Sequence, residues 1–205
     1  MKFEHLEVGN ADLKKVSRLV YESNEEILKY AFGKNKEKAQ KKIEKLIQIG
    51  KNHYGYENIY AAYDGRKIAG FFIGYTGQEQ IDRRKNTDSL TFLKLMHAYG
   101  VIKYKMFIRP LFMRISLVDM KKDDFYVDGI SIDEDYRDSS VDSFLLEKSI
   151  EIAKNKNCKR LVVDISLVRL DEKEFFEKAG FKIYDKKIET IKSESIGNYF
   201  MEYLL

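Results

Sequence analysis

Apolar and polar residues alternate along this chain with two periods, and the switches between them lay out an order of elements. Phe3 to Val8 alternates at period two and predicts a first strand. Leu13, Val16 and Val20 then recur at helical spacing behind Asn10 or Asp12, either of which can cap the turn. "SNEE" sets Ser23 and Glu26 in capping-box spacing and predicts a second helix through Ile27, Leu28 and Phe32. Asn35 to Gly50 reads as a Lys-rich third helix buried along Ala39, Ile43, Leu46 and Ile47, its charges forming a solvated face.

"NIYAAYDGRKIAGFFIGY" predicts a hairpin, with two apolar runs flanking Asp64-Gly65, a pair suited to a type I′ turn. From Gln78 to about Lys122 the period becomes helical again. "TDSLTFLKLMHAYGVIKYKM" can be capped by Thr87 or Asp88, and Pro110 can begin another short helix. Residues 78–122 therefore read as a helical insertion that packs on a sheet or against a second subunit, as a homodimer would allow. "DDFYVDGISI" returns to strand, and the polar turn "IDEDYRDSS" leads into a helix with Val141, Phe144, Leu145 and Ile152 on one face. "KRLVVDISLV" is continuously apolar enough for a central strand. "LDEKEFFEKAGF" is a short helix stopped at Gly180, and "KIYDKKI" and "NYFMEYLL" close the chain as strands.

Composition narrows the function classes. A formal net charge of +4, from 37 Lys and Arg against 33 Asp and Glu, is spread along the chain and lacks the concentrated basic face of a nucleic-acid binder. Cys158 is the only cysteine, so an intramolecular disulfide is excluded; the start "MKFEHLEVGN" lacks a signal-peptide pattern, and a cytoplasmic protein is expected. Even the greasiest region, Leu90 to Val118, carries Lys or Arg every few residues, which disfavours a membrane partner. His5, His53 and His97 are scattered, so no metal site is expected, and neither a Walker loop nor a dinucleotide-binding glycine run occurs. One domain over residues 1–205 accounts for the pattern.

Two motifs carry a resemblance. "ISIDEDYR" running into an amphipathic helix, and "FFEKAGF" after a strand, together spanning Asp124 to Tyr184, resemble the GNAT superfamily of acyl-CoA-dependent N-acyltransferases, with the Ile59–Tyr75 hairpin as support. The resemblance implies an α/β (α+β) fold with a mixed, mainly antiparallel central sheet flanked by helices; the helical insertion lies outside the resemblance, between strands three and four. It implies transfer of an acetyl or other acyl group from acetyl-CoA, or another acyl-CoA, to a small-molecule or peptide amine. The strand Phe125–Ile132 would carry a bulge, for which Gly129 is suited, and would offer the backbone of Ile130, Ser131 and Ile132 to the pantetheine arm and acyl carbonyl. The phosphate-binding turn falls on Arg137, Asp138, Ser139, Ser140, Val141 and Asp142, followed by Ser143, and Phe176 is either a core aromatic, the simpler reading, or a residue that lines the pantetheine channel. Asp128 is the candidate general base. Asp164 reads as a hydrogen-bonded structural acid, and Tyr126 or Tyr199 are further sources of a proton.

The sequence departs from the family's pattern at several of these positions. Asp138, Ser140 and Asp142 stand where glycine or another small residue is usual, Phe176 where many members have a tyrosine, Arg169 near a common Asn, and Glu172 at a small Ala position. A carboxylate about 5 Å from a phosphate charge costs roughly 3 kcal/mol at an effective dielectric near 20. Ser139 and Asp142 also have capping-box spacing, so the turn is expected to satisfy its own backbone N–H groups. These departures favour an alternative, a GNAT-like ligand-sensing or protein-interaction module that no longer binds CoA.

Overall fold

The computed structural model describes residues 1–9, 11–23, 25–86, 120–137, 139–191 and 194–205, with isolated positions at 102, 106 and 110. In chain order the elements are β1 (Lys2–His5), α1 (Leu13–Ser23), α2 (Glu25–Phe32), α3 (Lys36–Ile49), β2 (Ile59–Asp64), β3 (Lys67–Thr76), α4 (Gly77–Asn86), β4 (Asp124–Ile132), α5 (Val141–Asn155), β5 (Arg160–Ser166), α6 (Leu170–Lys178), β6 (Lys182–Ile191) and β7 (Glu194–Leu204).

Local chemistry explains most of these boundaries. The Asn35 side chain accepts from Lys38 N–H at 2.9 Å and starts α3, while Asp12 accepts from Lys15 N–H at 3.1 Å at the head of α1. Ala39, Ile43, Leu46 and Ile47 are buried on α3, and each of the larger three contributes about 1.5–3 kcal/mol. That keeps a helix with many lysines docked. β1 stops at His5, short of Val8, with Leu6 N–H making a last in-register bond to the Ile59 carbonyl at 2.9 Å. Ser23 ends α1, and its hydroxyl donates back to the Val20 carbonyl. The β2–β3 turn sits one residue later than its sequence suggests. Asp64 pairs with Lys67, so Gly65 and Arg66 form the loop, and only Gly65 has positive φ, +59°. Positive φ at the first loop position alone belongs to a II′-like turn, not the I′ turn.

The strands form one seven-stranded sheet in the order β1-β2-β3-β4-β5-β7-β6, antiparallel throughout except for the β4–β5 pair. β3 is buried from Ile68 to Tyr75, which requires cover on both faces. One face packs against α1, α2 and α3 and includes Tyr75, Tyr126 and Val162; the other packs against α5 and α6 and includes Phe72, Phe125, Val127, Val163 and Phe176. α4 follows β3 directly, and Gln78 N–H donates to the Lys122 carbonyl at 3.1 Å, so the chain leaves β3 and returns to β4 at one place. The expected caps at Thr87 and Asp88 lie outside the described residues, as does most of the segment read as a helical insertion. Among the described residues no helix is long and apolar enough to cross a membrane.

Candidate active site

The site begins where β4 stops being an ordinary strand. It pairs with β5 only from Asp124 to Val127; beyond that, β5 continues to Ser166 with no β4 partner. On its other edge β4 stays on β3, but the register shifts so that Asp128 and Gly129 together face Ile73. Gly129 carries a φ of +63°, which a residue with a Cβ adopts at a cost of about 1–2 kcal/mol. This is the bulge that its glycine suggested, and it resets the alternation. Asp128 lies on the α1–α3 face with Tyr126, whereas Ile130 and Ile132 pack toward α5 and α6.

The same geometry frees backbone groups. Asp133 N–H donates to Ala69 on β3 at 2.9 Å, so by strand alternation Ser131 also points to β3. Ile130 and Ile132 therefore aim their N–H and C=O groups into the gap that β5 has vacated. A cleft of about 490 Å³ opens there between α1, α5 and α6. Ile130, Ser131, Ile132, Arg137, Asp142 and Phe176 all line it, along with Arg169 and Glu172. Phe176 has no exposed surface and stacks edge-on against Phe175 and Phe181, so it is a core aromatic that backs the cleft wall. The Val141 side chain is buried in the core, and Ser139, Ser140 and Ser143 are exposed; none of these four lines the cleft. Asp138 lies outside the described residues.

The turn does not cap itself with the expected box. Ser139 turns away, its N–H and hydroxyl both donating to the Tyr136 carbonyl, and Asp142 accepts from the adjacent Ser143 N–H at 2.7 Å. The N-cap residue is Ser140, which makes no side-chain cap bond. The physical reason is the short helical turn Glu134–Tyr136, whose last carbonyl captures Ser139 before it can reach α5. Among the described residues, no side chain accepts from the N–H groups of Val141 or Asp142. Arg137 stands beside them with its side chain 65% exposed, held only loosely by Glu134 at 3.8 Å.

On the α1–α3 face the same bulge presents a cluster of titratable groups. His53 Nε2 lies 2.7 Å from Asp128 Oδ2, and His53 Nδ1 lies 3.0 Å from the Tyr75 hydroxyl. An ionised carboxylate can only accept, so Nε2–H donates to Asp128, and a neutral ring then accepts from Tyr75 at Nδ1. The loop bearing His53 is braced by buried asparagines. Asn52 donates to the Leu46 and Gly50 carbonyls at 2.8 and 2.9 Å, and Asn58 donates to the Asn52 and His53 carbonyls at 2.8 and 3.2 Å. Across the opening, Asp164 accepts from the Tyr126 hydroxyl and from Asn198 at 2.8 Å. Asp164 is only half-buried by surface area, but protein atoms crowd its carboxyl. Desolvation, with Asp128 nearby, pushes its pKa up to about 7, and the same burial raises Tyr126 well above the ordinary phenol range. Asp164 is thus hydrogen-bonded, as the sequence suggested, and is also poised to change charge near neutrality. Tyr199 lies elsewhere, under the ammonium groups of Lys173 and Lys186. His53 was not legible as a site residue. It sits 75 positions from Asp128, and only the fold joins them.

The family model for the acetyltransferase (GNAT) family matches residues 21–181. The chain belongs to the GNAT acetyltransferase family. Solved structures share its fold across nearly the whole length. An N-acetyltransferase from Staphylococcus aureus Mu50 aligns at TM-score 0.72 and 16% identity over 99% of this chain and 100% of that one. Another acetyltransferase aligns at 0.69 and 18% over 100% and 99%. A ribosomal-protein-alanine N-acetyltransferase from Brucella melitensis aligns at 0.56 and 11% over 100% of both. At these identities the likeness shows the GNAT fold alone. No curated protein matches the sequence.

Proposed function

We propose that this protein transfers an acyl group, acetyl foremost, from a CoA thioester to the amine of a small molecule or peptide. One observation carries the reading: at a single bulge, an opened strand turns backbone N–H groups toward a cleft while Asp128 stands on the opposite face with His53 behind it. The N–H groups of Val141 and Asp142, with Arg137 alongside, suit an anionic phosphate, since helix-start donors favour negative charge. The residues fit a CoA thioester along the strand, and the loss of the self-capping box removes the main reason for reading the turn as closed.

The thioester supplies an acyl carbon with a good leaving group. The chain's part is to position the amine and handle its proton. As the amine nitrogen bonds to the acyl carbon and the C–S bond breaks, the proton shed by nitrogen passes to Asp128, whose Oδ2 is held by His53. His53, with its side chain 35% exposed against 12% for Asp128, steadies that carboxylate through Nε2–H, and the proton leaves Asp128 for solvent after the product departs. The thiolate regains a proton from solvent, so charge balances over the turnover. Strand N–H groups facing the gap polarise the carbonyl as it gains negative charge.

Thermal denaturation with acetyl-CoA tests the donor half. Donor at about a hundred times its Kd should add roughly 2.7 kcal/mol of stability. An unmoved Tm at millimolar acetyl-CoA would overturn the reading in favour of a module that no longer binds CoA. For the acceptor half, Asp128→Asn should lower turnover on a responsive amine by about 10²–10⁴-fold while donor affinity stays within roughly threefold. Unchanged turnover would remove Asp128 from the mechanism.

A further inference from the structure

His53 reaches Asp128 from a loop that must be held in shape, because between the end of α3 at Ile49 and the start of β2 at Ile59 the only regular element is the short 3-10 turn Tyr56–Asn58. The chain reverses there through two successive left-handed residues, Gly50 at φ +67° and Lys51 at φ +54°. Glycine enters that region readily, and lysine does so at a cost. His53 follows two residues later.

Glu57 holds Lys51 in this conformation. Its Oε1 accepts from the Lys51 N–H, and the carboxylate lies folded under the loop against Gly50 and Gly55, so closely that a Cβ on Gly55 would come within 2.5 Å of both its oxygens. Glu57 Oε2 is buried there with no partner among the described residues, which costs stability. Asn52 and Asn58 brace the rest of the loop, and Asn52 Oδ1 also accepts from Tyr54 N–H at 2.9 Å. Among the described side chains that brace the loop, only Glu57 holds the backbone of Lys51.

Resting on the transferase reading above, we infer that Glu57 is a positioning residue for the proton transfer: by holding Lys51 left-handed, its carboxylate sets the course of the loop that brings His53 Nε2 to Asp128.

A brace that serves only the fold and one that acts through His53 predict different results. The first costs turnover whether or not His53 is present; the second costs none once His53 is gone.

The experiment uses the full chain as wild type, Glu57→Ala and Gly55→Ala, each also combined with His53→Ala, and adds Lys51→Gly to Glu57→Ala as a rescue. Gly55→Ala keeps the carboxylate but pushes it aside, and because those oxygens end a flexible side chain the fold accommodates the shift. It therefore serves if Glu57→Ala does not fold. Three quantities are read: turnover of a responsive amine at saturating acetyl-CoA, donor affinity by calorimetry, and the NMR signal of the His53 Nε2 proton. Each loop variant should lower kcat about tenfold, since a displaced contact can cost up to about a hundredfold, while donor Kd stays within about threefold. The Nε2 proton, held on Asp128 in the wild type, should exchange with water too fast to be seen in either variant. In the His53→Ala background the same changes should lower kcat by no more than about twofold. Lys51→Gly should return most of the lost turnover, because glycine keeps positive φ without help. An unchanged Nε2 signal, a loss of kcat that persists without His53, or no recovery with Lys51→Gly overturns the positioning role alone. If the wild type binds no acetyl-CoA, the transferase reading falls and the positioning role falls with it.

Discussion

The two halves of β4 are built from the same strand and do opposite things. From Asp124 to Val127 it is clamped between β3 and β5; from Asp128 to Ile132 it keeps β3 and loses β5. In the closed half, charge is spent on attachment. Arg160 grips Asp124 through Nε at 2.8 Å and Nη2 at 2.9 Å and reaches Glu202 on β7 at 2.6 Å, tying β4, β5 and β7 across the sheet. In the open half, charge collects around a gap: Asp128 with His53 on one face, Glu172 with Arg169 on the other. The contrast teaches that the opening has a cause at each end. A positive-φ glycine removes the ladder beyond Val127, and a buried bidentate ion pair stops the separation from travelling back toward Asp124.

The strongest way to break this comparison is to cut the clamp. Arg160→Ala leaves Asp124, which is 1% exposed, without its cation and should cost about 3–5 kcal/mol in urea denaturation, because an uncompensated charge stays buried. A loss below roughly 1 kcal/mol would mean that the backbone ladder alone confines the opening.

The next test sharpens the open half through pH. Asp164 has a folded pKa of about 7 against about 3.9 unfolded, so between those values the folded chain holds a proton that the unfolded chain has released. Stability should therefore fall as pH rises from about 4 to 7 and level off above it. A drop on the order of 2 kcal/mol between about pH 5 and 8 is expected for the wild type, and Asp164→Asn should flatten it. If the variant keeps the wild-type slope, the titrating group lies elsewhere.

Sequence reached the closed half far better than the open one. Strand alternation and the apolar stripe of α3 are local signals, and local chemistry decided them. Gly129 was legible because a glycine inside a strand has few other uses, and Asp128 because it stands next to it. His53 was hidden, since its partners come from β3 and β4 and two buried asparagines fix its loop. The capping box was misread for a related reason. Ser139 and Asp142 have the right spacing, but spacing does not reveal that the preceding 3-10 turn would offer Ser139 a nearer carbonyl. Glu172 drew notice only as a departure from the family pattern, and its place in the lining of the cleft is a property of the fold.

The smallest expected effect falls on the phosphate turn. Asp142 lines the cleft beside Arg137, but it is partly exposed and its Oδ1 is turned onto Ser143 N–H, so the unscreened figure of about 3 kcal/mol overstates its repulsion of a phosphate. Asp142→Gly should tighten acetyl-CoA binding only about three- to tenfold, or roughly 0.7–1.4 kcal/mol, and helix propensity should cost the fold no more than about 1 kcal/mol. Charge and bulk are separated by salt. If repulsion is the cause, the gain should be largest near 0.02 M ionic strength and should shrink by about 0.5 M, where the screening length is only a few ångström. A gain that ignores salt would assign the effect to the space the side chain fills. No gain at low salt would mean that a donor's phosphates lie away from Asp142, leaving Arg137 and the opened strand to hold it.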